Sequence, residues 1–98
     1  MTRAPRVLIV EDDHALREMI ARTLRSLDFE VVTAADGESA LRSLTPAPHA
    51  ILLDIGLPDS DGRDICQAVR GRGIDAPVVF VSGRHDVADR LSAFAAGG

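Results

Sequence analysis

A-I-L-L-D-I-G-L-P-D-S-D-G, running from Ala50 to Gly62, is the stretch that decides the fold. Ile51, Leu52 and Leu53 form a short apolar run behind Pro48 and His49. Such a run between turn formers reads as a strand buried on both faces of a parallel sheet. Asp54 follows at once, at or just past the strand's carboxyl end, which is the edge where open α/β sheets bind ligands. Pro58, Asp59, Ser60, Asp61 and Gly62 then form a polar loop. A carboxylate at the tip of a buried strand is costly unless something needs its charge.

Working outward, the same pattern recurs. Arg6 to Val10 (R-V-L-I-V) is a second buried-strand run, and three acids, Glu11, Asp12 and Asp13, close it. From Ala15 to Leu27 the apolar positions Leu16, Met19, Ile20, Leu24 and Leu27 fit a helix with one core-facing stripe, with Asp13 as its N-cap. Phe29 to Thr33 reads as a strand, and Asp36-Gly37 as a turn that caps a short helix from Glu38 to Leu44. Thr45-Pro46-Ala47-Pro48 stops that helix. Asp64 to Arg70 reads as a helix closed by Gly71 and Gly73, with Ile65 and Val69 inward. Ala76 to Val81 reads as a fourth buried strand, followed by Ser82 and Gly83. Asp86 to Ala96 reads as a last helix. The order βαβαβαβα implies a parallel sheet with right-handed crossovers and helices on both faces.

Composition narrows the function. Ninety-eight residues make one domain with a small core. Hydrophobic residues are 46% of the chain, enough for a packed fold. A net charge of -4 argues against direct nucleic-acid contact, which needs clustered cations. All eleven basic residues are Arg; Lys is absent. A single cysteine, Cys66, allows no internal disulfide and reads as a packing residue. No apolar run has a membrane helix's length, and the N-terminus lacks the order of a signal peptide, so the cytoplasm is the expected location.

The chemistry lies in a coincidence of strand ends. Strands one, three and four end in Glu11 and Asp12, Asp54, and Ser82, all on one edge of a parallel sheet. With strand one beside strand three, the switch point of a flavodoxin-like order, these residues share a pocket. Two unit charges about 4 Å apart cost roughly 4 kcal/mol at an effective dielectric near 20. A hard divalent cation such as magnesium removes that cost. Carboxylate, metal and hydroxyl are the parts for binding or accepting a phosphoryl group. Other polar residues have plainer readings. Asp13, Asp36, Asp59 and Asp61 suit caps and turns. His14, His49 and His85 show no ligand spacing and read as solvated, as do the arginines along the helix faces.

V-L-I-V-E-D-D, L-L-D-I-G-L-P-D-S-D-G, P-V-V-F-V-S-G-R and D-R-L-S-A-F-A-A-G-G together resemble the receiver domain of two-component response regulators, most closely the OmpR/PhoB branch. The resemblance covers the whole chain, 1–98, and implies a CheY-like, flavodoxin-like sheet of strand order 2-1-3-4. It implies that Asp54 accepts a phosphoryl group from a sensor histidine kinase with Mg2+. It implies a metal site of Asp12, Glu11 (mainly through water), Asp54 and the backbone carbonyl of Gly56, with Ser82 as the switch hydroxyl. Pro58 and Gly62 match the loop that shapes the acceptor's backbone. The module would be a switch with self-dephosphorylation rather than a turnover enzyme, and DNA would be reached only through an output domain absent from this chain.

Two departures stand out. Gly83 occupies the position where the branch usually has Ala, which is expected to loosen the loop and leave the site. The family also has five βα units and this chain stops after four, before the fifth strand, the Lys that follows it and the last helix. The expectations that follow are an open edge at strand four, a thinner cover on Leu16, Ile20 and Leu24, and self-association as a homodimer or swapped oligomer; the alternative is a fragment of a longer protein. The runner-up function is a receiver-like interaction module that does not respond to phosphate. The third reading is an enzyme, a small magnesium-dependent phosphohydrolase or a Toprim-type nuclease; the Toprim form is disfavoured because Asp54 is followed by Ile55 and Gly56 where an Asp-x-Asp pair is needed, and turnover of a phosphate ester would mark the enzyme.

Overall fold

The computed structural model describes residues 4–54, 56–57 and 61–81. Its elements are β1 (Arg6–Val10), α1 (His14–Ser26), β2 (Glu30–Ala34), α2 (Gly37–Arg42), β3 (Ala50–Leu53), α3 (Gly62–Gly71) and β4 (Val78–Phe80). The four strands pair in parallel in the order β2-β1-β3-β4, as the flavodoxin-like reading requires. The predicted last helix and Ser82 lie outside the described residues.

Period-two alternation along the central strands feeds two cores. Leu8 and Val10 of β1 and Ile51 and Leu53 of β3 face α2 and α3, where Ala40, Leu44, Ile65, Cys66 and Val69 close over them. Val7 and Ile9 face α1 and pack on Ala21, with Ile20, Leu24, Val31 and Leu52 at the margins. Cys66 is fully buried, so its reading as a packing residue stands.

The helix boundaries follow from side-chain caps. Asp13 Oδ1 accepts from Leu16 N at 3.0 Å. Asp36 and Ser39 form a reciprocal capping box on α2. Asp61 Oδ1 accepts from Arg63 N at 2.8 Å and starts α3. These three acids are caps, as their turn-like sequence contexts suggest; Asp59 lies outside the described residues. At the end of α1, Asp28 adopts φ 68°. Asp28 N donates to Arg25 O at 3.0 Å and Phe29 N to Leu24 O at 3.1 Å, which is a Schellman closure built on a non-glycine residue.

Three sequence readings need correction. The apolar stripe of α1 is narrower than its spacing suggests: Leu16, Ile20 and Leu24 are half-buried, but Met19 is 57% exposed and Leu27 62%. The small Ala21 is the residue that meets the sheet, and Leu27 falls beyond the helix as its C-cap. β4 is not buried on both faces, since Val79 is 49% exposed. Nor are the arginines all solvated. Arg70 Nη1 holds the carbonyls of Ile74 and Ala76, and Arg72 Nη1 reaches Leu41 O at 2.9 Å, tying the end of α3 to α2.

Candidate functional site: an acidic pocket at the carboxyl edge of the sheet

The backbone ladder puts the two central acids in place. Glu11 N donates to Ala34 O at 3.0 Å, carrying the β1–β2 ladder one residue past Val10. Asp54 N donates to Val10 O at 2.9 Å and does the same for β1–β3. Both acids thus sit on the last rung of a buried sheet, where Glu11 is 3% exposed and Asp54 2%. Asp12, one residue further out, is half-buried. One carboxylate oxygen from each of Glu11, Asp12 and Asp54 lies within 4.8 Å of the others.

Local bonds orient the carboxylates. Asp54 Oδ1 accepts from Gly56 N at 3.0 Å, and its Oδ2 is sealed from solvent. Gly56 also bridges to Asp61, the N-cap of α3. Glu11 Oε2 accepts from Asp13 N at 3.1 Å. Burial first, then the neighbouring Asp54 carboxyl and, less strongly, Asp12 push the Glu11 carboxyl from 4.5 up to about 7, against the opposite pull of the Asp13 amide. Oxygen-only donors of net negative charge at this spacing suit a hard divalent cation, which magnesium fits with one or two carboxylates and retained waters.

The structure thus brings together Glu11, Asp12, Asp54 and Gly56. Ser82 and Pro58 lie outside the described residues, while Gly62 opens α3. Three polar contacts near these elements are not legible in the sequence. Arg17, half-buried in α1, donates from Nη1 to Glu11 O at 2.9 Å and from Nη2 to His14 Nδ1 at 3.0 Å. At the opposite edge, His49 Nδ1 accepts from Arg6 N at 2.9 Å. His14 and His49 are exposed, as expected, yet each ring is engaged. The one signal that could have flagged Arg17 is its place one turn into the helix that follows the acids.

Comparison with known proteins agrees with this geometry. The profile of the response regulator receiver domain matches residues 7–98. The transcriptional regulatory protein PrrA of Mycobacterium tuberculosis is 45% identical over 95 residues, covering 96% of this chain and 41% of PrrA. The response regulator MprA of the same species is 37% identical over 93 residues, covering 94% of this chain and 40% of MprA. The chain therefore spans about two fifths of the length of these curated relatives. Among solved structures, the chemotaxis protein CheY4 of Vibrio cholerae superposes with a TM-score of 0.87 at 28% identity, covering 97% of this chain and 82% of that one. A putative response regulator from Chloroflexus aurantiacus gives 0.85 at 32% identity, covering 97% and 80%.

Proposed function

This chain belongs to the response regulator receiver domain family, and from that premise we propose that it is a phosphoacceptor module in which Asp54 takes a phosphoryl group from a sensor histidine kinase. The observation that carries the reading is the buried Asp54 at the tip of β3, with the Glu11 and Asp12 carboxylates within 4.8 Å. An Asp54 carboxylate oxygen attacks phosphorus in line. The new P–O bond forms as the phosphohistidine P–N bond breaks, and the electron pair leaves with the imidazole. Positioning and charge supply most of such catalysis. The Gly56 amide pins Oδ1 and so sets the direction in which the carboxylate presents itself. Glu11, Asp12, Asp54 and the Gly56 carbonyl would hold Mg2+, which when bound neutralises the charge on the acids and on the incoming phosphoryl oxygens.

The further roles belong to the same reading. Ser82 is assigned the hydroxyl that closes on the aspartyl phosphate, and slow hydrolysis of that phosphate resets the switch. The whole protein would carry an output domain acting on transcription, by analogy with the transcriptional regulatory protein PrrA, and would work in the cytoplasm. Among the described residues no helix is long and apolar enough to cross a membrane.

Intact-mass spectrometry after incubation with acetyl phosphate and magnesium tests the proposal. One phosphoryl adduct on the parent chain and none on Asp54→Asn is the expected result. No adduct on a chain shown to be folded would overturn it in favour of a receiver-like interaction module.

A further inference from the structure

We infer that Arg17 is a positioning residue of the acidic pocket: its guanidinium fixes the peptide plane on which Glu11 and Asp12 are mounted. The inference rests on the magnesium-binding reading above. β1 ends at Val10, and Glu11 N makes the last rung of the ladder with Ala34 O. The Glu11 carbonyl lies beyond that rung, where the chain turns into α1. Arg17 Nη1 bonds this carbonyl at 2.9 Å. Because the peptide unit is planar, holding the Glu11 carbonyl also holds the Asp12 amide, and with it the direction in which the Asp12 side chain leaves the backbone. The second arm of the fork is occupied too, with Nη2 on His14 Nδ1 at 3.0 Å.

Arg17 is itself anchored, since its own amide donates to Asp13 O at 2.9 Å in the first turn of α1. Carbonyl, guanidinium and helix start thus form a closed loop around Asp12 and Asp13. The guanidinium bonds a carbonyl and a ring nitrogen through its two arms, rather than a carboxylate. A guanidinium placed there for its charge alone would repel an incoming divalent cation. Removing it would then tighten magnesium binding, whereas loss of a positioning bond loosens it. The two roles therefore predict opposite signs.

The test compares the parent chain with Arg17→Met, which keeps most of the length and loses donor and charge, and with Arg17→Lys, which keeps charge and one donor. Magnesium affinity is read by calorimetric titration, and amide hydrogen exchange is followed at residues 11–13. Partners that orient metal ligands are typically worth tenfold or more, so Arg17→Met is expected to weaken magnesium binding roughly tenfold, with Arg17→Lys within about threefold of the parent. Exchange at Asp12 and Asp13 should quicken in Arg17→Met while exchange along Val7–Val10 does not change. Unchanged or tighter binding by Arg17→Met overturns the inference. If the parent itself binds no magnesium, the metal reading of the proposed function fails and exchange at Asp12 and Asp13 decides: quickened supports the role of Arg17, unchanged overturns it. If Arg17→Met does not fold, His14→Ala replaces it, since that variant frees one arm of the fork. It should weaken binding by about threefold, and parent-like binding and exchange there also overturn the inference.

Discussion

Glu11 shows how a single rung of backbone sets a side chain's chemistry. The ladder bond to Ala34 keeps Glu11 in register with the buried sheet, where it is 3% exposed, and burial is the largest cause of its rise from 4.5 to about 7. The folded state therefore binds the Glu11 proton more tightly than the unfolded chain does. In the metal-free protein, stability from this group is full below about pH 4.5 and is lost as pH rises through about 7, a loss of at most a few kcal/mol. The urea midpoint of the parent should fall across that window, and that of Glu11→Gln should fall far less. A flat parent profile would contradict the burial argument. Magnesium competes with the same proton, so its stabilising effect should grow with pH over the same range.

At the scale of elements, the ends of helices are where local sequence and backbone disagree. Asp28 closes α1 in the left-handed region that glycine occupies at least cost, and it places a negative charge beside the carbonyl end of the helix. Asp28→Gly should therefore stabilise the chain by about 0.5–1 kcal/mol. The end of α3 offers a paired test. A Cβ on Gly71 would meet nothing within 4 Å, while Gly73 has φ +78°. Gly71→Ala should stabilise by about 0.5 kcal/mol and Gly73→Ala should destabilise by about 1 kcal/mol, although the two sites are neighbours. Thermal melts of the two variants check this, and equal shifts would refute it.

Across the whole molecule, stability is concentrated where β1 and β3 are covered on both faces. Leu53 is fully buried between the sheet and α3, whereas Val79 in β4 is half exposed. Leu53→Ala should cost about 2–5 kcal/mol, a large share of the stability of a small domain. Val79→Ala should cost less than about 1 kcal/mol. Chemical denaturation of both variants would show whether the core is centred on β3. Costs of similar size would mean that the outer strand contributes as much as the centre.

Much of the architecture is legible in the amino-acid sequence by itself. The apolar runs at Arg6–Val10 and Ile51–Leu53, each closed by acids, imply parallel strands whose tips share an edge. Asp13, Asp36 and Asp61 mark the helix starts. These features are local, because periodicity and capping depend on neighbours within a turn or two. Tertiary structure decided the rest. Met19 and Leu27 match the apolar spacing of α1 yet remain exposed, because the sheet meets that helix at Ala21. Arg17 and His49 find backbone partners across element boundaries. A long polar side chain can choose among many partners, and only the registered approach of β1, α1 and β3 selects one. The depth of Glu11 and Asp54 has the same origin: a chain can place an acid after a strand, but only the assembled sheet removes the water around it.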